Sequence, residues 1–184
     1  SYEEMLEMAS LGAKVMQPAS IQEARLNRIE IDVRSTFSKT AGTMITKKKN
    51  IFSNNTIRGI SYTKNDAKLT LIGVKDKPGI AASIFKPLYE NSINVDMVVQ
   101  NVSAGGRETD LTFTIKLEDL KKTRKLVENN KYIKFRKLIV NRNVSKVSIV
   151  GVGMVTTPGI TFRMFRALAK KKINIEVIST SEIK

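Results

Sequence analysis

The chain reads as an α+β protein built from ferredoxin-like βαββαβ units, repeated in tandem behind a short α/β segment. Two observations carry this. From Thr56 onward the apolar patterning runs strand, helix, strand, strand, helix, strand, which is the split βαβ plan. The opening strand-helix-strand of that unit then recurs. Leu69-Thr70-Leu71-Ile72-Gly73-Val74 aligns with Val147-Ser148-Ile149-Val150-Gly151-Val152. Pro78-Gly79-Ile80 aligns with Pro158-Gly159-Ile160, Phe85 with Phe165 and Leu88 with Leu168. Ile93-Asn94-Val95-Asp96-Met97-Val98 aligns with Ile173-Asn174-Ile175-Glu176-Val177-Ile178. Shared apolar positions are common to any two such units. Gly, Pro-Gly and Ile-Asn at matching offsets are not, so the pattern reads as a duplication.

The elements follow in order. Ser1 with Glu4 forms a capping-box pattern, and Met5, Leu6 and Ala9 recur at helical spacing behind it. Pro18 stops a simple continuation, and a second helix is expected from Ser20 to Arg28. Ile29 to Val33 alternates like a strand. Thr36 to Asn55 is polar and basic and reads as a loop. Ile57 to Tyr62 suggests a short strand, Asp66-Ala67 a turn, and Leu69 to Val74 a buried strand. Pro78-Gly79 opens a helix whose apolar face is Ile80, Ile84, Phe85 and Leu88. A strand follows at Ile93 to Val99, and Gly105-Gly106 marks a hairpin turn. Thr109 to Leu117 alternates, with Leu111, Phe113 and Ile115 on one side. Glu118 to Asn130 is a charged helix with Leu120, Leu126 and Val127 inward, and Phe135 to Val140 closes the unit. The expected division is 1–55 for the leading segment, 56–140 for the first repeat and 141–184 for the second. The second copy stops where its third strand should begin, and the chain opens without Met, so it reads as a piece of something longer.

Composition narrows the chemistry. The 184 residues contain no Cys, His or Trp. A disulfide framework, a cysteine nucleophile, a Cys/His zinc site and a Ser-His-Asp triad are excluded. No glycine loop of the phosphate-binding type is present, and Gly151-Val152-Gly153 lacks the third glycine of a dinucleotide fingerprint. No catalytic residue and no metal ligand is therefore assigned. No apolar run approaches the roughly 18 residues needed to span a bilayer, so no membrane partner and a cytoplasmic location are expected. The formal net charge is +15, which attracts polyanions. The basic residues are scattered, as at Lys47-Lys48-Lys49, Lys121-Lys122 and Lys170-Lys171-Lys172. The strand from Thr109 carries one aromatic, Phe113, on its apolar face, without the stacking pattern of an RNA-recognition domain. No nucleic-acid partner is expected. A basic ferredoxin-like module binding RNA or acidic partners is the alternative reading.

Each repeat feeds a helix through Pro-Gly. Pro in the first turn gives up no needed N–H, and the adjacent Gly lets a ligand approach. The free amides of such a helix start suit a carboxylate. Asp76, just before Pro78, suits an ammonium group. Together these match a free α-amino acid. The second loop has Thr156-Thr157 where the first has Asp76-Lys77. Thr157 is placed to cap its helix, but the acid is missing, so the two loops should hold different ligands, or the same ligand differently.

The chain also resembles a known family. Gly73-Val74-Lys75-Asp76-Lys77-Pro78-Gly79, with Ile93 to Ser103, resembles the first ACT domain of aspartate kinases. Asn174 to Ile183 resembles their second ACT domain, and Ser1 to Val15 with Val33 to Phe37 resembles the end of their catalytic domain. The leading segment is then a remnant of the kinase domain. One departure is Gln17-Pro18-Ala19, where the family usually carries His-Pro-Arg. The resemblance implies ATP-dependent phosphorylation of aspartate in lysine, threonine and methionine biosynthesis. It implies feedback inhibition by lysine, threonine or both, bound between ACT domains. It places one effector set at Asp76, Gly79, Ile80, Ala81 and Gln100, closed by Asn174 and Ile175. It places another at Pro158, Gly159, Ile160 and Thr161, closed by Asn94, Asp96, Ser181 and Glu182. ATP and Mg are implied for the full enzyme, with no cofactor in this fragment, which alone is expected to be inactive. A homodimer through ACT domains, and a catalytic domain or subunit of the same enzyme, are the implied partners.

Overall fold

The computed structural model describes residues 1–47, 56–102, 106, 108–151 and 157–180. Helix α1 (Tyr2–Ser10) begins at the expected capping box. The Ser1 hydroxyl accepts from the Glu4 amide at 3.3 Å, and the Glu4 carboxylate accepts from the Ser1 ammonium at 2.9 Å. Helix α2 (Pro18–Leu26) starts two residues earlier than expected, because Pro18 takes the first helical position, where its missing N–H costs nothing. Strand β1 (Ile31–Val33) pairs antiparallel with β2 (Thr43–Ile45), with Ile31 opposite Ile45. The loop expected over 36–55 thus contains a strand. Its anchor is Ile45, 3% exposed and packed with Tyr2, Ile21 and Ala24.

Strand β3 (Gly59–Lys75) runs unbroken for 17 residues. The turn expected at Asp66-Ala67 is not formed. Ala67 is fully buried, and Asp66 accepts a hydrogen bond from Lys116 Nζ at 2.8 Å. A buried, paired carboxylate overrides the turn preference of Asp. Helix α3 (Ile80–Glu90) follows, then β4 (Val95–Val102), β5 (Glu108–Lys116), a 3₁₀ turn at Leu117–Asp119, α4 (Leu120–Glu128) and β6 (Lys137–Val150). The sheet order is β4-β5-β3-β6, the ferredoxin-like arrangement expected from the sequence. The strands predicted to end at Val140 and restart at Val147 are one strand. Helix α5 (Ile160–Lys170) is the repeat of α3.

The chain divides into two compact units. One comprises Ser1–Thr63 with Val147–Lys184, the other Lys64–Lys146. The second unit holds the larger core. Leu69, Leu71, Ile84, Leu111 and Phe113 are fully buried there, and Phe85 meets Phe113 edge-to-face at 5.4 Å. Phe113 is therefore a core residue, as its face predicted. Pro87 lies inside α3 and has no N–H to give the Ser83 carbonyl. Asn130 Nδ2 fills that place at 3.2 Å, tying the end of α4 to α3.

The strand expected at Ile173–Ile178 is a further correction. Residues 174–180 form no ladder, although Ile175 and Val177 are more buried than their neighbours. Their counterpart β4 is a strand because β5 pairs with it. Alternation in the sequence becomes a strand only where a neighbouring strand forms a ladder with it.

Candidate functional site

The β3-to-α3 connection is built by two glycines. Gly73 sits at a register break in β3, with φ +69, and its N–H donates to Asp110 Oδ1 at 2.9 Å. A side chain there would strike the Arg136 guanidinium, which itself pairs with Glu108 at 2.7 Å. Gly79 caps α3 with φ +85 and ψ −1. That left-handed geometry suits glycine, and open space surrounds the position its Cβ would occupy. The Ser83 amide donates to Gly79 O and the Ile80 amide to Lys77 O. The amides of Ala81 and Ala82 have no intrahelical acceptor, and no side chain caps α3.

Around this helix start lies a cleft of about 390 Å³, lined by Asp76, Lys77, Pro78, Gly79, Ile80, Ala81 and Gln100. Gln100 reaches it from β4, where it stands opposite Leu111 of β5. The structure thus brings together five residues of the first expected set: Asp76, Gly79, Ile80, Ala81 and Gln100. Asn174 and Ile175 belong to the other unit. Lys77 and Pro78, which stand between Asp76 and Gly79 in the chain, line the cleft with them. Chemically the cleft offers a carboxylate, an ammonium, a carboxamide and helix amides. An α-amino acid can set its ammonium against Asp76 and its carboxylate against the amides and Lys77.

The second expected set is divided. Pro158, Gly159, Ile160 and Thr161 lie at the start of α5, in the unit Ser1–Thr63 with Val147–Lys184. Gly159 has φ +88 and ψ −1, matching Gly79. Asn94 and Asp96 lie in the other unit. Asn94 lines a second cavity of about 510 Å³ with Phe85, Leu88, Tyr89 and Val98. Asp96 is ion-paired with Lys146. Ser181, Glu182 and Thr156 fall outside the described residues. The cap expected from Thr157 is not made. Its hydroxyl lies 3.3 Å from that of Thr56 instead, and α5 has no side-chain cap.

A protein-family model for the ACT domain matches residues 69–130 and 147–184. These ranges include both Pro-Gly helix starts. The chain aligns over its whole length with the aspartate kinase of Pseudomonas putida at 44% identity. Over 70% of its length it superposes on the regulatory subunit of aspartate kinase from Thermus thermophilus, covering 85% of that subunit, with a TM-score of 0.64 and 37% identity. The chain belongs to the aspartate kinase family. It corresponds to the family's regulatory ACT region. Aspartate kinase from Clostridium acetobutylicum matches 99% of the chain with a TM-score of 0.82 at 25% identity, over 42% of that protein. The chain likewise spans only 45% of the Pseudomonas putida relative. Among the described residues, no helix is long and apolar enough to cross a membrane, and no cluster of His, Cys, Asp or Glu is arranged to hold a metal ion.

Proposed function

We propose that this region senses an end-product amino acid, lysine, threonine or both, and passes its binding to an aspartate kinase catalytic domain. The observation that carries the reading is the cleft at the start of α3. There Asp76, Gln100 and the helix amides meet with the charges a zwitterionic amino acid requires. The aspartate kinase of Clostridium acetobutylicum, which shares the fold along almost the whole chain, is described as an allosteric enzyme. Regulation of this kind is a coupling free energy, typically about 1–3 kcal/mol between effector and substrate sites.

In this reading Asn174 and Ile175 complete the first effector set. Pro158 to Thr161 with Asn94, Asp96, Ser181 and Glu182 form the second. ATP-dependent phosphorylation of aspartate, with its magnesium ion, belongs to sequence outside these residues. The described residues offer no acidic cluster that fits such an ion. The chain alone should therefore show no aspartate-dependent ATP turnover in a coupled assay. Strands β4 and β6 are the edges of the sheet, and pairing of an edge with a second copy gives a C2 dimer.

Calorimetric titration of the chain with lysine and with threonine, separately, tests the reading. Saturable binding of at least one is expected. Failure of both to bind overturns it.

A further inference from the structure

Helix α3 carries a gap in its hydrogen bonding that its repeat is spared. Pro87 stands in its interior, and the aligned residue of α5 is Ala167. An alanine has an N–H for the carbonyl four residues back, and a proline has none. In α3 that carbonyl is Ser83 O, and Asn130 Nδ2 donates to it at 3.2 Å from beyond the end of α4. The Asn130 carboxamide is set this way round by its oxygen, which accepts from the Tyr132 N–H at 3.0 Å. Its two ends thus have separate tasks. The oxygen forms the turn after α4, and the nitrogen stands in for the missing helix donor.

Ser83 leads directly to the cleft. Its N–H and its hydroxyl both donate to Gly79 O, each at 3.0 Å. Gly79 lines the cleft and opens the helix, and the free amides of Ala81 and Ala82 lie between it and Ser83 in the same turn. The path from Asn130 through Ser83 to Gly79 stays within the unit Lys64–Lys146. At the matching place in α5, the Arg163 N–H donates to Gly159 O at 3.0 Å, but arginine has no hydroxyl to add. We infer that Asn130 is a positioning residue for the cleft. By replacing the donor that Pro87 lacks, it holds the first turn of α3 in the form that presents Gly79 and the free amides to a ligand's carboxylate. The inference rests on the reading of the cleft as an amino-acid site. A turn held ready before binding spends less of the ligand's binding energy on ordering.

The test is a double-mutant cycle on the 184-residue chain, titrated with free lysine and with free threonine and read at the binding event that Asp76→Ala weakens. Asn130→Asp keeps an oxygen for the Tyr132 N–H and removes the donor to Ser83. It should weaken binding by about two- to tenfold, the range that the net worth of one hydrogen bond allows. Pro87→Ala installs the residue of the second repeat and supplies the missing N–H. In that background Asn130→Asp should shift affinity by less than about twofold, because the helix then closes its own turn. The charge that Asp brings is present in both backgrounds and cancels in the cycle. Amide hydrogen exchange reads the same cycle without ligand. The Ser83 and Ile84 amides should exchange faster in Asn130→Asp and return to near-parental rates when Pro87→Ala is added, with the β5 amides unchanged throughout as a check on the fold.

If Asn130→Asp leaves affinity and exchange at parental values, Asn130 positions nothing, and the inference is wrong while the amino-acid reading stands on the parent's binding. Faster exchange with affinity intact also overturns it, because the bond is then structural alone. So does a loss of affinity that persists undiminished beside Pro87→Ala, since the added charge and not the missing donor is then the cause. If Asp76→Ala weakens no binding event, the cleft is not the site and the role of Asn130 falls with it. If the parent chain binds neither amino acid, the sensing reading itself fails before any variant is made, and the inference goes with it.

Discussion

The two helix starts share a backbone and differ in almost everything around it. Gly79 and Gly159 have φ values of +85 and +88 with ψ −1 in both, and each precedes an 11-residue helix beginning with Ile. Yet α3 buries Ile80, Ile84 and Leu88, while α5 buries Ile160 alone. Arg166 and the exposed Phe162 instead make a cation–π contact on the surface of α5. The comparison separates two causes. The Pro-Gly-Ile string dictates the turn locally, because Pro presets one φ and Gly admits a positive one. Burial depends on what the rest of the chain brings to the helix face. Strands β3, β4 and β5 and helix α4 supply this for α3.

The largest expected effect probes that difference. Leu88, 1% exposed, and Leu168, partly exposed, are the same position in the two copies. Leu88→Ala should destabilise by about 2–5 kcal/mol, the usual cost of emptying a packed site. Leu168→Ala should cost less, about 1–2 kcal/mol, since part of its side chain already meets water. Urea unfolding of the two variants beside the parent measures both. Equal losses would mean that α5 is covered as deeply as α3, and the contrast would collapse.

The second prediction concerns the chemistry that distinguishes the loops. Asp76 stands at the first helix start, and the matching loop has no acid. No side chain caps α3, so Asp76→Ala removes no cap and should leave the melting temperature nearly unchanged. Affinity for whichever of lysine or threonine binds should fall by about 1.5–3 kcal/mol, the worth of a hydrogen bond to a charged group. That is about ten- to a hundredfold in dissociation constant. A drop in melting temperature with affinity intact would return Asp76 to a purely structural role.

What the sequence made legible follows the same line between local and distant causes. The repeat, the helix faces and the two Pro-Gly starts are readable because each is written in consecutive residues. Five residues of the first expected set lie around one cleft; Asp76 and the Pro-Gly start are written in the loop itself, and Gln100 comes only through the family resemblance. The departures involve partners far along the chain. Asp66 reads as a turn former until Lys116, 50 residues away, is seen to pair with it. β2 is hidden in a basic segment because its reason to be a strand is pairing with β1 and burial of Ile45. Residues 174–180 have strand alternation, but no ladder forms there, and alternation alone does not say whether one will.

A third prediction tests whether the shared turn is local. Open space surrounds the Cβ position at both Gly79 and Gly159. Substituting Ala then costs only the left-handed backbone, about 1–2 kcal/mol at either site. Gly79→Ala and Gly159→Ala should therefore lose equal stability despite the unequal burial of their helices. Gly73→Ala should lose more, because its side chain would also have to displace Arg136. Unequal losses at the two caps, read from chemical unfolding, would show that tertiary packing and not the Pro-Gly string sets the turn.

The smallest effect is expected at Thr157, and it sharpens the comparison from the other side. By type and place Thr157 is a natural cap for α5, and removal of such a cap costs about 1 kcal/mol. In the structure its hydroxyl faces that of Thr56 at 3.3 Å, a long contact between exposed side chains, and α5 goes uncapped. Thr157→Ala should therefore change stability by less than about 0.5 kcal/mol, as exposed substitutions usually do. Asp76→Ala should be equally silent in stability, since α3 is uncapped too. The two variants then differ in ligand affinity alone: Asp76 loses it, and Thr157, which carries no charge to pair with an ammonium, keeps it. A stability loss near 1 kcal/mol in Thr157→Ala, about the worth of a helix cap, would mean that the hydroxyl turns to the helix in solution. The second helix start would then be closed by its own side chain where the first stays open to a ligand.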